Sequence, residues 1–483
     1  MSLPRLCFLL LPCLASAANP LVAHAGMADP HVHFFNGSIY MYSTHDTMVN
    51  GSGCECCGLW WIWQTDDLVK WKQVGMMHEF PWTKPGLGHH WATDAAERNG
   101  MYYWYISVGG ANIAVATAPT PVGPWSDPLG KFMLNNSLGS RLKPPTNIRD
   151  PGVLHDTDGK YYIVFGACSG PVQPNDTCYY AAELNNDMVS TKKPQHLSVR
   201  GCLGPYGYGK ADDKPFLHKR NGIYYLSWGG FYATASAVYG PYEYQGTTIH
   251  ISHIAPDFRV GNLTQEPWWK REIHADRHSS YFELHGQWYF FANDRSHSDG
   301  LPTRSEGAFR QTIAAYVHYY DNGTIAPIAI DGKGIGSHDV GSESLLPAEN
   351  YFKIKTGVKK EGASGFQVVG LASGSELYFQ RVHNLVAVSK VAMHASNGGA
   401  CDGRIDLHSG DAKGLVIASC RIAPTGAWDK HIDHACTLLA PLPQDAIDLV
   451  LTFEGCGSEE FARLDHIAFV LDERLPDQAV TVV

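Results

Sequence analysis

No stretch of this chain beyond its N-terminus approaches the ~20 apolar residues that a bilayer span needs. No basic stripe is present, and helical periodicity is scarce throughout. The first absence excludes a membrane-spanning helix from the expected mature chain. The second, with a net charge of −10, argues against nucleic acid and anionic membranes as partners. The third leaves an all-β chain as the expectation. The 24 histidines include no pair framed as a metalloprotease site. The Cys54-Glu55-Cys56-Cys57 cluster has no second pair at zinc-finger spacing, so disulfides are the expected use of cysteine.

What is present begins with an export signal. Arg5 gives a positive flank, residues 6–14 an apolar stretch too short to span a bilayer, and Ala15-Ser16-Ala17 a small-residue cleavage site. Residues 1–17 are therefore expected to leave as a signal peptide, and the mature chain to be secreted, extracellular and monomeric. Cysteine usage agrees with an oxidising compartment. Cys7 and Cys13 leave with the signal, and the remaining cysteines fall as six before residue 210 and four after residue 400. Sequons at Asn36, Asn50, Asn135, Asn175, Asn262 and Asn322 fit an exported glycoprotein.

One short phrase recurs: Asn36-Gly37 before Tyr40, Asn99-Gly100 before Tyr103, Asp158-Gly159 before Tyr162, Asn221-Gly222 before Tyr225 and His285-Gly286 before Tyr289. The glycines lie 63, 59, 63 and 64 residues apart. A hairpin turn recurring at that period predicts one sheet per repeat, and five such sheets close into a five-bladed β-propeller. The blades are expected to occupy residues 18–340. A Gly-, Ser- and Asp-rich stretch, 331–347, reads as the linker. Over 346–483, short alternating runs such as Phe366-Gln-Val-Val and Ile447-Asp-Leu-Val-Leu predict a jelly-roll-like β-sandwich.

A propeller brings the innermost strand of every blade to one axis, so residues far apart in sequence can share a site. Asp29, Asp150 and Asp213 stand eight, nine and nine residues before their turn glycines, Asp94 six before and His278 eight before. Singly, an Asp next to Pro30 or Pro151 is ordinary turn chemistry. Three in register point instead to carboxylates that perturb one another, the equipment of general acid–base work. Trp60, Trp61, Trp63, Trp71, Trp82, Trp91 and Trp104 crowd the first two blades. Most are expected in the core, with one or two able to stack on a sugar ring.

These residues resemble glycoside hydrolase family 43 over about 27–330. The likeness rests on Ala28-Asp29-Pro30 with Tyr40-Met41-Tyr42, Asp66-Asp67-Leu68-Val69-Lys70-Trp71, Trp91-Ala92-Thr93-Asp94, Gly123-Pro124-Trp125, Asp150-Pro151 with Asp156-Thr157-Asp158-Gly159, and His278-Ser279-Ser280. The resemblance implies inverting cleavage of arabinose, xylose or galactose linkages in plant polysaccharides. It implies Asp29 as general base and Asp150 as the residue tuning the acid's pKa and orientation. His278 resembles a channel histidine that in many members helps hold calcium or ordered water. The family's acid is a glutamate in a phrase like Glu-Gly-Pro-Trp; here the phrase is Asp213-Lys214-Pro215-Phe216. The implied acid is thus Asp213, one methylene shorter, with Asp212 and Glu283 as alternatives. Trp91, Asp94, His278 and Arg295 are the substrate-binding candidates.

Residues 346–472 resemble a carbohydrate-binding module of family 6, through Ala348-Glu349-Asn350-Tyr351, Pro424-Thr425-Gly426-Ala427-Trp428 and Leu464-Asp465-His466-Ile467. Glu349 and Asp465 match positions that hold a structural Ca2+ in such modules. Asp429-Lys430-His431 and Arg463 depart from the usual ligand-facing residues. No organic cofactor is expected. The expectation is an inverting exo-glycosidase trimming arabinose or xylose from plant-type hemicellulose. A galactan-directed exo-glycosidase and a lectin-like polysaccharide-binding protein without chemistry are the alternatives.

Overall fold

A computed structural model describes residues 19–23, 25–49, 52–54, 59–78, 80, 90–167, 177–201, 214–259, 277–296, 310–362, 365–455 and 457–471. The signal segment, Asp212, Asp213 and the sequons at Asn50, Asn175 and Asn262 lie outside them. Each repeat folds as a meander of antiparallel strands. The innermost strands are Gly26–Phe35, Trp91–Arg98, Gly152–His155, Phe216–Arg220 and Ser279–Leu284. Each touches the next in that order and the last touches the first, which closes the five-bladed ring. The N-terminal segment tethers the closure. Leu21 N–H donates to Thr312 O at 2.8 Å, and the Asn19 amide exchanges hydrogen bonds with Ala314 at 2.9 and 2.8 Å.

The repeated phrase is a turn that only certain residues can make. Asn36, Asn99, Asn221 and His285 have φ of 47, 55, 47 and 53°, and their glycines 82, 77, 79 and 82°. Two consecutive left-handed residues define the hairpin turn whose twist matches the flanking strands. Blade three departs from the pattern. His155 pairs with Tyr161, leaving a longer loop in which Asp156 N–H donates to Lys160 O at 2.9 Å.

Aromatics fill the space between blades. Trp60, Trp104 and Tyr42 are fully buried between the first two, and the Tyr42 and Trp104 rings meet edge to face at 5.1 Å. Such pairs contribute about 0.5–1.5 kcal/mol beyond the area they bury.

The C-terminal domain is a β-sandwich. Ile432–Leu438 pairs with Val388–Ser396 on one side and Val416–Ile422 on the other, so a single hydrogen-bonded path folds back over itself. Inward residues such as Met393, Leu407, Leu449 and Ile467 form its core. The stretch 331–347, read as a linker, is built into this domain: His338–Asp339 pairs with Glu376–His383, and Leu345–Pro347 with Ala462–Leu471. Cys420 and Cys436, directly opposed on neighbouring strands, form a disulfide, and Cys178 and Cys401 each belong to a separate disulfide. The two domains are in contact. Gln287 Nε2 donates to Glu349 O and Tyr351 O, both at 2.8 Å, and Tyr351 Oη donates to Gly286 O at 2.9 Å. Among the described residues, no helix is long and apolar enough to cross a membrane.

Candidate active site

Asp29 sits where its strand breaks step. The register between Gly26–Phe35 and Ser38–Val49 shifts between Ala28 and His31, so Asp29 and Pro30 bulge out of the ladder. A bulge re-aims a side chain, and proline cannot rejoin the ladder as a donor. Asp29 adopts φ 51°, an uncommon conformation for the residue before a proline. Its surroundings over-determine that strained geometry. Asp29 N–H donates to Asn293 Oδ1 at 2.6 Å, while Asn293 Nδ2 and Arg310 Nη1 each donate to Asp29 Oδ1 at 2.9 Å. Thr44 Oγ1 donates to Asp29 Oδ2 at 2.6 Å, and His278 Nδ1 lies 3.4 Å from Oδ1.

Arg310 is in turn held by a bidentate pair with Asp46, at 2.8 and 2.9 Å. Residues of blade one and blade five therefore together fix one carboxylate. None of Asp46, Asn293, Arg310 or Thr44 figures among the residues expected from sequence.

A second buried group lies beside the first. His31 Nε2 is 3.2 Å from His278 Nε2, and His31 Nδ1 is 3.1 Å from Asp94 Oδ2. His33 Nε2 and Asp94 Oδ1 are 2.6 Å apart, and Val153 N–H donates to Asp94 Oδ2 at 2.5 Å. Burial pushes the Asp94 carboxyl up, but His31 and His33 together hold it well below the usual carboxylate range. Asp94 is fully buried, and its contacts orient His33 and the His31 imidazole that meets His278.

Asp150 repeats the Asp29 backbone. It precedes Pro151 with φ 55° and opens the third inner strand. Its N–H is bound by Ser107 Oγ at 2.8 Å, and its Oδ2 accepts from Lys214 N–H at 3.1 Å. Lys214, at φ 72° before Pro215, is the blade-four counterpart of Asp29 and Asp150. Counting from the turn glycine put Asp213 level with Asp150 only because the blade-three loop is longer. Asp213 is the residue before this position, so Asp150 grips the peptide that joins Asp213 to Lys214.

The other candidates divide. Trp91 is partly exposed, with the Arg149 guanidinium 4.8 Å above its ring. Arg295 is buried just after the strand Gln287–Asp294. Glu283 Oε1 accepts from Gly286 N–H at 2.6 Å at the turn end of its strand, the opposite end from His278. That makes Glu283 a turn residue.

In the sandwich, Glu349 is half-buried, and its buried Oε2 has no hydrogen-bond partner among the described residues. Burial pushes the Glu349 carboxyl up to about 7, and the nearby Asp465 adds to the rise. An unpartnered carboxylate oxygen beside a second carboxylate suits a hard, oxygen-seeking cation such as Ca2+. Trp428, by contrast, is covered. The Arg463 guanidinium lies 4.7 Å over its ring, and a Cβ on Gly398 would meet that ring at 2.5 Å.

A propeller whose axis holds clamped carboxylates, joined to a β-sandwich, is the architecture of a carbohydrate-active enzyme. Residues 17–325 match the family described as Glycosyl hydrolases family 43, and the chain belongs to it. It is a glycoside hydrolase. Residues 347–470 match Carbohydrate binding module (family 6). The chain is 26% identical to an arabinoxylan arabinofuranohydrolase of Paenibacillus polymyxa over 94% of its own length and 74% of that protein's. It is 27% identical to a xylosidase/arabinosidase of Bacteroides ovatus over 64% of this chain and 95% of that one. A crystal structure of a family 43 arabinoxylan arabinofuranohydrolase from Bacillus subtilis, in complex with cellotetraose, shares the two-domain fold. It superposes with a TM-score of 0.53 at 20% identity, covering 95% of this chain and 98% of that one.

Proposed function

We propose that this protein is an inverting glycosidase that removes arabinofuranosyl or xylosyl groups from plant-type hemicellulose, with Asp29 as general base and Asp213 as general acid. The observation that carries the reading is the Asp29 carboxylate, held by Arg310, Asn293 and Thr44 at the start of an inner strand. In this reading a water on one side of the anomeric carbon loses its proton to Asp29 as it attacks. The glycosidic C–O bond breaks, and the departing oxygen takes a proton from Asp213 on the other side. Asp150 fixes the peptide that carries the acid, so it acts by positioning. The relatives named for arabinoxylan, arabinose and xylose support the substrate class. The export signal read at residues 1–17 supports a reaction outside the cell, where such polymers lie.

The test compares the wild type with Asp213→Asn on nitrophenyl α-L-arabinofuranoside, β-D-xyloside and β-D-galactoside, and on arabinoxylan. The arabinofuranoside or the xyloside should be cleaved fastest. A nitrophenolate departs with little protonation, whereas a sugar alkoxide does not. Asp213→Asn should therefore lose about 10²- to 10⁴-fold on arabinoxylan and much less on the nitrophenyl glycoside. Equal losses on both, or none on the polymer, would remove Asp213 from the acid's role. Preference for the galactoside would move the substrate to galactan.

A further inference from the structure

We propose that the sandwich carries a divalent transition-metal site, built from His394, Asp433 and His466 on the face turned away from its core. The three residues lie on adjacent strands in direct register: His394 is opposite Asp433 on one side and His466 on the other. Their neighbours Met393, Ala395 and Ile467 are fully buried, so alternation turns the two imidazoles outward, where both are partly exposed. One donor atom from each of the three residues lies within 4.8 Å of the others. His394 Nδ1 and Asp433 Oδ1 are 2.7 Å apart, and the His394 and His466 rings stack at 4.7 Å.

The strand itself supplies a supporting group. Ala395 pairs with Leu464 while His394 pairs with His466, which makes Asp465 the extra residue of a bulge. Its Oδ2 lies 3.1 Å from His466 Nδ1. A carboxylate on one imidazole nitrogen fixes the tautomer that leaves the other as the metal-binding lone pair. Two imidazoles and one carboxylate are a donor set for Zn2+ or a neighbouring first-row ion, and three protein ligands leave a position for water or a ligand oxygen. Ca2+ would instead want six to eight oxygens. His431 stacks 5.8 Å from His394, but its Nε2 faces Gln367 Oε1 at 3.0 Å, so it stands beside the site.

The experiment titrates Zn2+ into the EDTA-treated full chain by calorimetry, with Co2+ as a visible-absorption probe, for the wild type and for His394→Ala, His466→Ala, His431→Ala and Glu349→Gln. The wild type should bind one Zn2+ that His394→Ala and His466→Ala each weaken by at least ~10-fold, the low end of what even a supporting residue contributes. His431→Ala should bind as the wild type does. Ca2+ should raise the melting temperature of the wild type and of His394→Ala but not of Glu349→Gln, which keeps its Zn2+. Unchanged Zn2+ affinity and stoichiometry in the two histidine variants would overturn the proposal. So would loss of Zn2+ in Glu349→Gln, because the two sites would then be one.

Discussion

Asp29→Asn is expected to remove hydrolysis while leaving the propeller folded. The amide keeps the shape of the side chain but cannot take a proton from water, and loss of a general base typically costs about 10²- to 10⁴-fold. Folding should survive because Arg310 keeps its bidentate pair with Asp46 when the charge on Asp29 is gone. The loss should appear in kcat with KM little changed, since Asp29 acts on water and not on the sugar ring. Initial rates on arabinoxylan, beside near-ultraviolet circular dichroism, check this. A variant that is folded and active to within a few fold would exclude Asp29 as the base.

Arg310→Met should have the opposite signature, a loss of stability first. Arg310 is buried and answers two buried carboxylates, Asp29 and Asp46. A methionine of similar length would leave both without their cation, and breaking a buried pair in this way costs about 3–5 kcal/mol. Arg310→Lys should be intermediate, because an ammonium supplies charge but not the planar fork that Asp46 binds. Thermal unfolding of the three proteins checks the order wild type, Lys, Met. A melting temperature for Arg310→Met equal to wild type would show that the cation does not hold the site together.

The contrast between these residues explains what was legible in the sequence. Asn36, Asn99, Asn221 and His285 announced themselves, because a two-residue hairpin turn needs left-handed backbone at both positions and few pairs satisfy it. Asp29 and Asp150 were visible through the proline that follows each. Blade three hid its register behind a loop of a different length, so the count from Gly159 set Asp213 level with Asp150 and left Lys214 unnoticed. The clamp on Asp29 was not legible at all. Asn293 comes from the second strand of blade five and Arg310 from the residue just before its third, 264 and 281 residues away. Strand alternation says which residues face inward within a blade, not which of them meet across the ring. Asp46, the one carboxylate at the end of the run from Ile39 through His45, was the one available signal.

In the sandwich, the β pattern could be read from the alternation of the strands, whereas Glu349 and Asp465 were singled out only by the family resemblance. The covering of Trp428 by Arg463 could not, because those residues lie on different parts of the chain and meet only in the folded domain.

The most direct test of the account is the configuration of the first sugar released, followed by proton NMR from the start of the reaction. The wild type acts on whichever nitrophenyl glycoside it cleaves fastest. An attack by water on the face opposite the leaving group predicts that the anomer of inverted configuration appears first, with mutarotation filling in the other. For α-L-arabinofuranoside that is the β anomer. First appearance of the retained anomer would contradict the account, since it requires a carboxylate that bonds to the sugar in place of one that activates water.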